Sequence, residues 1–283
     1  MLRYLFSIVF FLGSFHFAWS QTGSKPKTIG NNHTQNLVTT LKHDTCLNRK
    51  FSIVFYVVLD SSYSPGLATP FNINKMMDTL NDRFKRICVT FANCSTVYIP
   101  NYTYNQWVRP VIDTVVTGQW YTSKTINIYI VDSIKQNFPD EPAGYTYGPP
   151  SNPAGPSKDV IVLEKWQLLI NSSIVPLHQM GHFFGLVHTS SEINPGSPAV
   201  PPPPPTVISH EFVNASNCNL HGDGICDTEA DPGGALVNAD GNGDKYLRPY
   251  DNYMSLYSSS CRFSTQQYRR MAYIIITKRK YLH

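Results

Sequence analysis

Three histidines at a spacing suited to metal binding are the residues of this chain best placed to do chemistry. His178 and His182 are four positions apart, so a helix would place them one turn apart on one face. Gly185 follows, and glycine can take the positive φ that ends a helix and turns the chain sharply. That turn can bring His188 back toward the other two side chains. Three converging imidazoles with a fourth position left open are the layout of a catalytic zinc site.

The residue after the first histidine, Gln179, does not suit hydrolysis at such a site. A glutamate there would take a proton from water and return it to the leaving nitrogen. Glutamine has nearly the same shape but cannot do this at neutral pH. General acid–base catalysis typically contributes about 10²–10⁴-fold to a rate. The sequence therefore predicts a zinc site with weak or absent turnover, with Glu192 and Glu211 as carboxylates that could supply another base.

The N-terminal residues 1–20 have the pattern of a secretory signal peptide. Arg3 and an apolar run from Leu5 to Phe17 precede the small residues of Ala18-Trp19-Ser20. The apolar run is short for a membrane span, and no later stretch is long enough. We therefore expect a secreted or extracytoplasmic protein without a membrane span.

Residues 21–50 are polar and carry no clear periodicity, which is typical of an N-terminal tail or a short pro-segment. Cys46 lies in this segment. A pro-segment thiolate could occupy the open zinc position and keep a peptidase latent. A disulfide or a free thiol is the alternative role of Cys46.

Export makes disulfides the expected state of the six cysteines. Cys88 and Cys94 are close enough in sequence to close a small loop. At least one bridge is expected among Cys218, Cys226 and Cys261. Zinc ligation by these thiols is disfavoured, because the histidines already form a site and no CxxC pair occurs.

The pattern of apolar residues from Phe51 onward predicts an α/β (α+β) domain with a mixed twisted sheet. A first helix is expected from a cap at Asn72 to about Ile87. Residues 139–158 are expected to form a long loop rich in Pro, Gly and Tyr. Strands are predicted over 51–59, 96–99, 125–131 and 159–164, the last at an edge of the sheet.

The helix that carries the histidines is expected to be buried, because its residues are apolar on every side. Ser172 or Ser173 can cap it, and Pro176 lies in its first turn, where the missing N–H donor is harmless. Five consecutive prolines at 201–205 indicate an exposed spacer. A last helix begins at a capping box of Ser264 and Gln267.

Oxygen-bearing side chains cluster in two segments after the histidines. Residues 218–228 contain a Gly-Asp-Gly turn between two cysteines. The stretch Asp240-Gly-Asn242-Gly-Asp244 alternates oxygen ligands with glycine, as hard cations such as calcium prefer. It lacks the glycine and the distal glutamate of an EF-hand loop, so a plain turn is the favoured interpretation.

The histidine pattern, with its glycine and third histidine, resembles the metzincin zinc peptidases. Met254, in a tight turn, is similar to the methionine that lies beneath their metal. The segment 218–228 is similar to a loop of the pappalysin family. The resemblance implies zinc ligands His178, His182 and His188. It implies a metallopeptidase-like domain over 51–283, with an upper subdomain at 51–188 and an irregular, disulfide-braced lower subdomain at 189–283.

Some pappalysins are stabilised by calcium, so the resemblance also draws attention to a set of candidate calcium ligands. These are Asp223, Asp227, Thr228, Asp240, Asn242 and Asp244.

Two positions depart from the family pattern. Gln179 stands where the family has its glutamate. The family often has a tyrosine two residues after the methionine, near the developing oxyanion, and here that position is Leu256, with Tyr257 one residue late. A shift of the turn could let Tyr257 act as the catalytic tyrosine in its place. Losing an oxyanion donor costs about 10²–10³-fold in other enzymes.

Three hypotheses for function remain. The favoured one is a zinc-binding protein that binds peptides with little or no turnover. The others are a working metalloendopeptidase with another base, and a trapping variant made by a Glu-to-Gln change. The net charge of +4 gives no basis for a nucleic-acid partner. The cations Lys278, Arg279 and Lys280 are interpreted as a solvated helix end.

Overall fold

The structure, a computed structural model, describes residues 46–108, 111–135, 143–149, 159–169, 174–190, 210–233, 237–257 and 260–282. Several predictions fall outside these ranges. They concern the signal peptide, residues 21–45, the capping serines 172 and 173, Glu192 and the polyproline segment.

A five-stranded mixed sheet forms the centre of the molecule. Its strand order is β2-β1-β4-β7-β6, with parallel pairing throughout except for β6, which runs antiparallel to β7. The strands are β1 (Arg49–Val58), β2 (Val89–Ile99), β4 (Ile126–Val131), β6 (Gly144–Thr146) and β7 (Val160–Glu164). Two short strands, β3 (Gln106–Val108) and β5 (Ser133–Lys135), pair in a separate parallel sheet. The predicted fold class is confirmed.

Both faces of the sheet are buried, which explains why its inner strands are almost continuously apolar. In β1, Phe51, Ile53 and Phe55 face one hydrophobic cluster, and Val54 and Tyr56 face another. The alternation follows from the two-residue period of a strand.

Four α-helices occur in the described part of the chain: α1 (Pro70–Phe84), α2 (Val111–Gln119), α3 (Ile174–Phe183) and α4 (Thr265–Thr277). The predicted start of α1 is wrong, because its cap is Thr69, whose hydroxyl accepts from the backbone N–H of Asn72, and Pro70 opens the helix. The helix ends at Phe84, and a 3₁₀ turn covers residues 85–87. Helix α2 was not predicted, because it is rich in β-branched residues of low helix propensity.

Two strand predictions were wrong. The strand expected at 96–99 begins at Val89, because Val89 and Phe91 alternate with exposed residues at the sheet's outer edge. The strand ending at Glu164 is not an edge, because β6, formed within the predicted long loop, pairs with its free side.

Two disulfides join described residues. Cys46 is bonded to Cys88, so the predicted Cys88–Cys94 pairing is wrong, and the disulfide alternative for Cys46 is confirmed. The expected bridge among the later cysteines is Cys218–Cys226. No helix among the described residues is long and apolar enough to cross a membrane.

The C-terminal helix packs onto the same core as α3, and its predicted capping box is present. The predicted solvated helix end is wrong for Arg279, which is fully buried. Its guanidinium pairs with the Asp159 carboxylate and lies 3.4 Å from the centre of the Phe183 ring. Its Nε donates to the Phe183 carbonyl oxygen at 2.7 Å, so Arg279 holds the C-terminal end of α3.

Candidate metal centre

Helix α3 ends in a turn that returns the chain to the histidines. Gly185 has φ +86°, and its N–H donates to the His182 carbonyl at 2.9 Å, while the Leu186 N–H donates to the Gly181 carbonyl at 3.0 Å. This is the hydrogen-bond pattern of a Schellman motif. A side chain at Gly185 would also come within 2.8 Å of Ile274 in α4. The predicted glycine turn is therefore present.

The turn brings the three histidines together. The Nε2 atoms of His178 and His188 are 2.9 Å apart, and the Nε2 of His182 is 3.0 Å from each. This is the one group of three or more His, Cys, Asp or Glu residues in the described ranges whose ligand atoms lie within 4.8 Å of one another. His178 is buried, and the other two are half-buried.

The hydrogen bonds of the outer ring nitrogens fix the protonation of two imidazoles. The Nδ1 of His178 donates to the Tyr253 carbonyl at 2.6 Å, and the Nδ1 of His182 donates to the Leu186 carbonyl at 2.9 Å. A carbonyl can only accept, so in the neutral rings these protons sit on Nδ1 and the Nε2 lone pairs face the centre.

Burial keeps the three rings neutral. It lowers the pKa of His178 to about 3 and the pKa of His182 to about 4, with the His182 ring adding to the effect on His178. Burial and the two neighbouring rings also hold the pKa of His188 well below its usual value. Neutral imidazole is the form that binds metals.

The donor set fits zinc. The Nε2 lone pairs of His178 and His182 point to the same place as the Nε2 of His188, as ligands of a single cation do. Zinc–nitrogen bonds of about 2.0–2.1 Å in a tetrahedron place the nitrogens about 3.3 Å apart, a few tenths of an ångström more than the separations here. The Nδ1–carbonyl bonds supply the outer contacts typical of metal-binding histidines.

Met254 lies directly beneath α3 and is fully buried. A Cβ added to Gly181 would meet its sulfur at 2.5 Å, so the glycine between the first two histidines makes room for it. The Met254 carbonyl accepts from the N–H of Thr189, the residue after the third histidine. The turn at Met254 thus contacts both the histidine helix and the residue that follows His188.

Gln179 is buried against the edge strand of the sheet. Its Nε2 donates to the carbonyl oxygen of Gly144 in β6 at 3.0 Å. The Gln179 amide therefore makes a structural hydrogen bond that an ionised glutamate at this position could not make.

The Tyr257 hydroxyl also forms hydrogen bonds to neighbouring side chains. Its hydroxyl donates to the Asp231 carboxylate at 3.1 Å and accepts from Arg248 at 3.1 Å. Burial, with the Asp231 charge, raises the pKa of Tyr257 to about 12. The other oxygen of Asp231 accepts from the Thr189 hydroxyl at 2.7 Å, so this network supports the loop after His188. No local pattern indicates a role for Asp231 or Thr189, because their pairing spans 42 positions.

The predicted calcium ligands do not gather into one site. Both oxygens of Asp227 are bonded at the N-terminus of α4, to the Ser264 hydroxyl and the Gln266 N–H. Asp240 accepts from the N–H groups of Asn242, Asp244 and Val213, which makes its segment a self-bonded turn.

Asp223 is different from these two residues. It is 1% exposed, and one oxygen accepts from the Thr228 hydroxyl, while Oδ2 has no partner among the described residues. Burial raises the pKa of Asp223 to about 7. Glu211, a candidate base in the sequence analysis, is buried with its carboxylate against Gly222, the residue before Asp223.

The sheet, the crossing helix and the returning turn define a metzincin-like fold. Among solved structures, the chain is similar to mirolysin in complex with compound 9, with a TM-score of 0.56 and 15% identity over 85% of this chain and 96% of that one. It is similar also to mature mirolysin from Tannerella forsythia in complex with a cleaved peptide, with a TM-score of 0.56 and 16% identity over 82% and 94%. No protein-family model and no curated protein matches the chain. At these identities the similarity establishes the fold.

Proposed function

We propose that this protein is an exported, zinc-binding member of the pappalysin group of metzincins that binds peptides in its cleft with little or no hydrolysis. The observation that carries the proposal is the pairing of a complete histidine triangle with Gln179 in the base position. The triangle supports zinc, and Gln179 supports the loss of turnover.

Zinc in such a site acts as a Lewis acid and lowers the pKa of water to about 7. The chain's own residues would hold it through the Nε2 atoms of His178, His182 and His188. No residue in contact with these atoms offers a carboxylate in the described ranges. Gln179 cannot move a proton, and Tyr257 is bonded to Asp231 and Arg248 instead.

Several features support the finer parts of this proposal. Peptide binding is supported by the similarity to a mirolysin structure that holds a cleaved peptide. Export is supported by the signal-peptide pattern and the two disulfides. The pappalysin assignment is supported by the segment 218–228 and Met254. We extend the proposal to a domain at 51–283 divided near position 188.

The test combines metal analysis with a cleavage assay on a mixed peptide library. We expect about one zinc per chain in the purified mature protein and no cleavage. Gln179→Glu should produce zinc-dependent cleavage, and adding Leu256→Tyr should raise it further, since these changes restore a base and an oxyanion donor.

Gln179→Ala is the matched control, because it removes the amide without supplying a base. Zinc-dependent cleavage by the unmodified protein would show that it is an active peptidase with another base. Absence of zinc would overturn the metal site and the proposed function with it.

Calcium is a secondary part of the proposal and rests on Asp223 alone. Its Oδ2 is buried without a hydrogen-bond partner among the described residues, and burial raises the Asp223 pKa even though the buried Arg270 guanidinium acts to lower it. We expect calcium, but not magnesium, to raise the melting temperature of the wild type and to have no effect on Asp223→Asn. Equal responses in both proteins would remove calcium from the proposal.

A further inference from the structure

The bond from Gln179 reaches the strand that borders the histidine helix. Val175 and Gln179 are four residues apart on α3 and so project from one face. A Cβ at Gly144 would lie 3.0 Å from Val175 and 2.9 Å from Leu163, so only glycine lets the helix approach this closely. The close approach allows the Gln179 amide to reach the Gly144 carbonyl at 3.0 Å.

That carbonyl belongs to the open side of β6. The Glu164 N–H donates to the Ala143 carbonyl at 3.1 Å, and Gly144 is the next residue, opposite Leu163. Successive residues of an antiparallel ladder direct their backbone groups to opposite sides, so those of Gly144 point away from β7. Since β6 is the last strand of the sheet in the described part of the chain, the Gly144 oxygen is an acceptor that an added strand would use.

We propose that Gln179 is a positioning residue whose amide occupies this acceptor. An incoming peptide therefore cannot form one of its backbone hydrogen bonds to the edge of the cleft, and we call this blocked hydrogen bond the closed rung. The peptide part of this inference rests on the proposed function. An ionised glutamate has no proton to donate, so the closed rung is a property of the amide. A peptide that lies along β6 must displace Nε2 or pair with other backbone groups.

Strand β6 does not depend on Gln179 for its position. The hydroxyls of Tyr145 and Tyr147 both donate to the buried Asp113 carboxylate. The Thr146 hydroxyl donates to the Val160 carbonyl at 2.7 Å. Removing the Gln179 amide should therefore make the Gly144 carbonyl oxygen available to a peptide and leave the strand in place.

The first measurement examines the bond without any peptide. In ¹⁵N spectra of the zinc-loaded protein, the Gln179 side-chain NH₂ should exchange with solvent slowly, and its signal should vanish in Gln179→Ala. Exchange as fast as that of an exposed glutamine, such as Gln106, would overturn the inference.

The second measurement uses Gln179→Ala and the closer-sized Gln179→Met, neither of which supplies a donor or a base. One freed backbone hydrogen bond is worth about 0.5–1.5 kcal/mol, so both variants should bind extended peptides about 2- to 10-fold more tightly than the wild type. Gln106→Ala, an exposed change in the small sheet, is the matched control and should change nothing.

A series of peptides, each N-methylated at one amide, identifies the rung. In the Gln179 variants one additional N-methyl position should weaken binding, and that position should be neutral in the wild type. Equal or weaker peptide affinity in both variants, with the same N-methyl profile, would overturn the inference. If the zinc-loaded wild type and both variants bind no peptide, the proposed peptide-binding function fails, and the closed rung fails with it even if the NH₂ is protected.

Discussion

The three histidines and the positions expected to assist turnover use their polar atoms differently. In His178 and His182, the outer nitrogens are bonded to backbone carbonyls, which directs the inner nitrogens toward one common point. The polar groups of Gln179 and Tyr257 instead form hydrogen bonds to the surrounding protein. Holding a metal and moving a proton therefore depend on separate side chains, and the proposed function assigns this chain the first property without the second.

The difference follows from what fixes each group. The histidines are set by backbone features: a helical turn, the Gly185 turn and two carbonyl acceptors. A change at 179 or 256 leaves those features intact. We call the three histidines the ligand-holding half of the site, and positions 179, 256 and 257 the turnover half. Zinc binding by the ligand-holding half should depend on the contacts that support the end of α3. It should not change when residues of the turnover half are substituted.

Arg279 offers the largest expected effect on the ligand-holding half. Removing one partner of a buried ion pair typically costs about 3–5 kcal/mol, because the other charge stays buried. We expect Arg279→Met to lower the free energy of unfolding by this amount in denaturant titrations. Zinc affinity should fall as well, since the guanidinium bonds the Phe183 and Tyr147 carbonyls next to the site.

The matched control is Lys280→Met, one residue along and exposed. It should leave unfolding and zinc affinity within about 0.5 kcal/mol of the wild type. A similar loss in both variants would mean that the C-terminal end stabilises the protein by charge alone.

His182→Ala probes the metal directly. Structural zinc sites bind with roughly 10–16 kcal/mol over about four ligands, so losing one imidazole should weaken zinc binding by about 10²–10³-fold. Competition with a chromophoric chelator measures this. Gln179→Ala should bind zinc like the wild type, and a comparable loss there would contradict the separation of the two halves.

Asp223 is a buried carboxyl group outside the histidine site, and burial raises its pKa despite the opposing charge of Arg270. Its pKa is raised to about 7, above the usual value of 3.8, so between these limits the folded protein binds a proton that the unfolded chain does not. The stabilising effect is present at low pH and is lost as the pH rises through about 7. In a chelator, the wild type should lose about 2 kcal/mol relative to Asp223→Asn between pH 5 and pH 8. Parallel pH curves would contradict a raised pKa.

Local patterns predicted the elements that depend on neighbouring residues. The histidine spacing, the turn at Gly185 and the capping box of Ser264 and Gln267 are confirmed, because each is formed within a few positions of the chain. The edge strand at Gly144–Thr146 was missed, since three residues in a proline-rich stretch carry no periodic signal.

Long-range pairings could not be predicted from one sequence. The Cys46–Cys88 bridge spans 42 positions, and the Arg279–Asp159 pair spans 120. A charge near the C-terminus is solvated in most proteins, so nothing local separates Arg279 from exposed Lys280. The partner of Gln179 was equally hidden, because the role of its amide depends on where β6 lies.

The smallest expected effect concerns Tyr257, and it tests whether this residue assists turnover or only supports the structure. Its hydroxyl bonds Asp231 and Arg248, so Tyr257→Phe should cost about 1 kcal/mol of stability. Placed in the Gln179→Glu background, the same change should leave the rate of peptide cleavage within about twofold, whereas an oxyanion donor would cost about 10²–10³-fold. A large loss of cleavage rate at unchanged stability would mean that Tyr257 assists turnover as an oxyanion donor and does not only support the loop after His188.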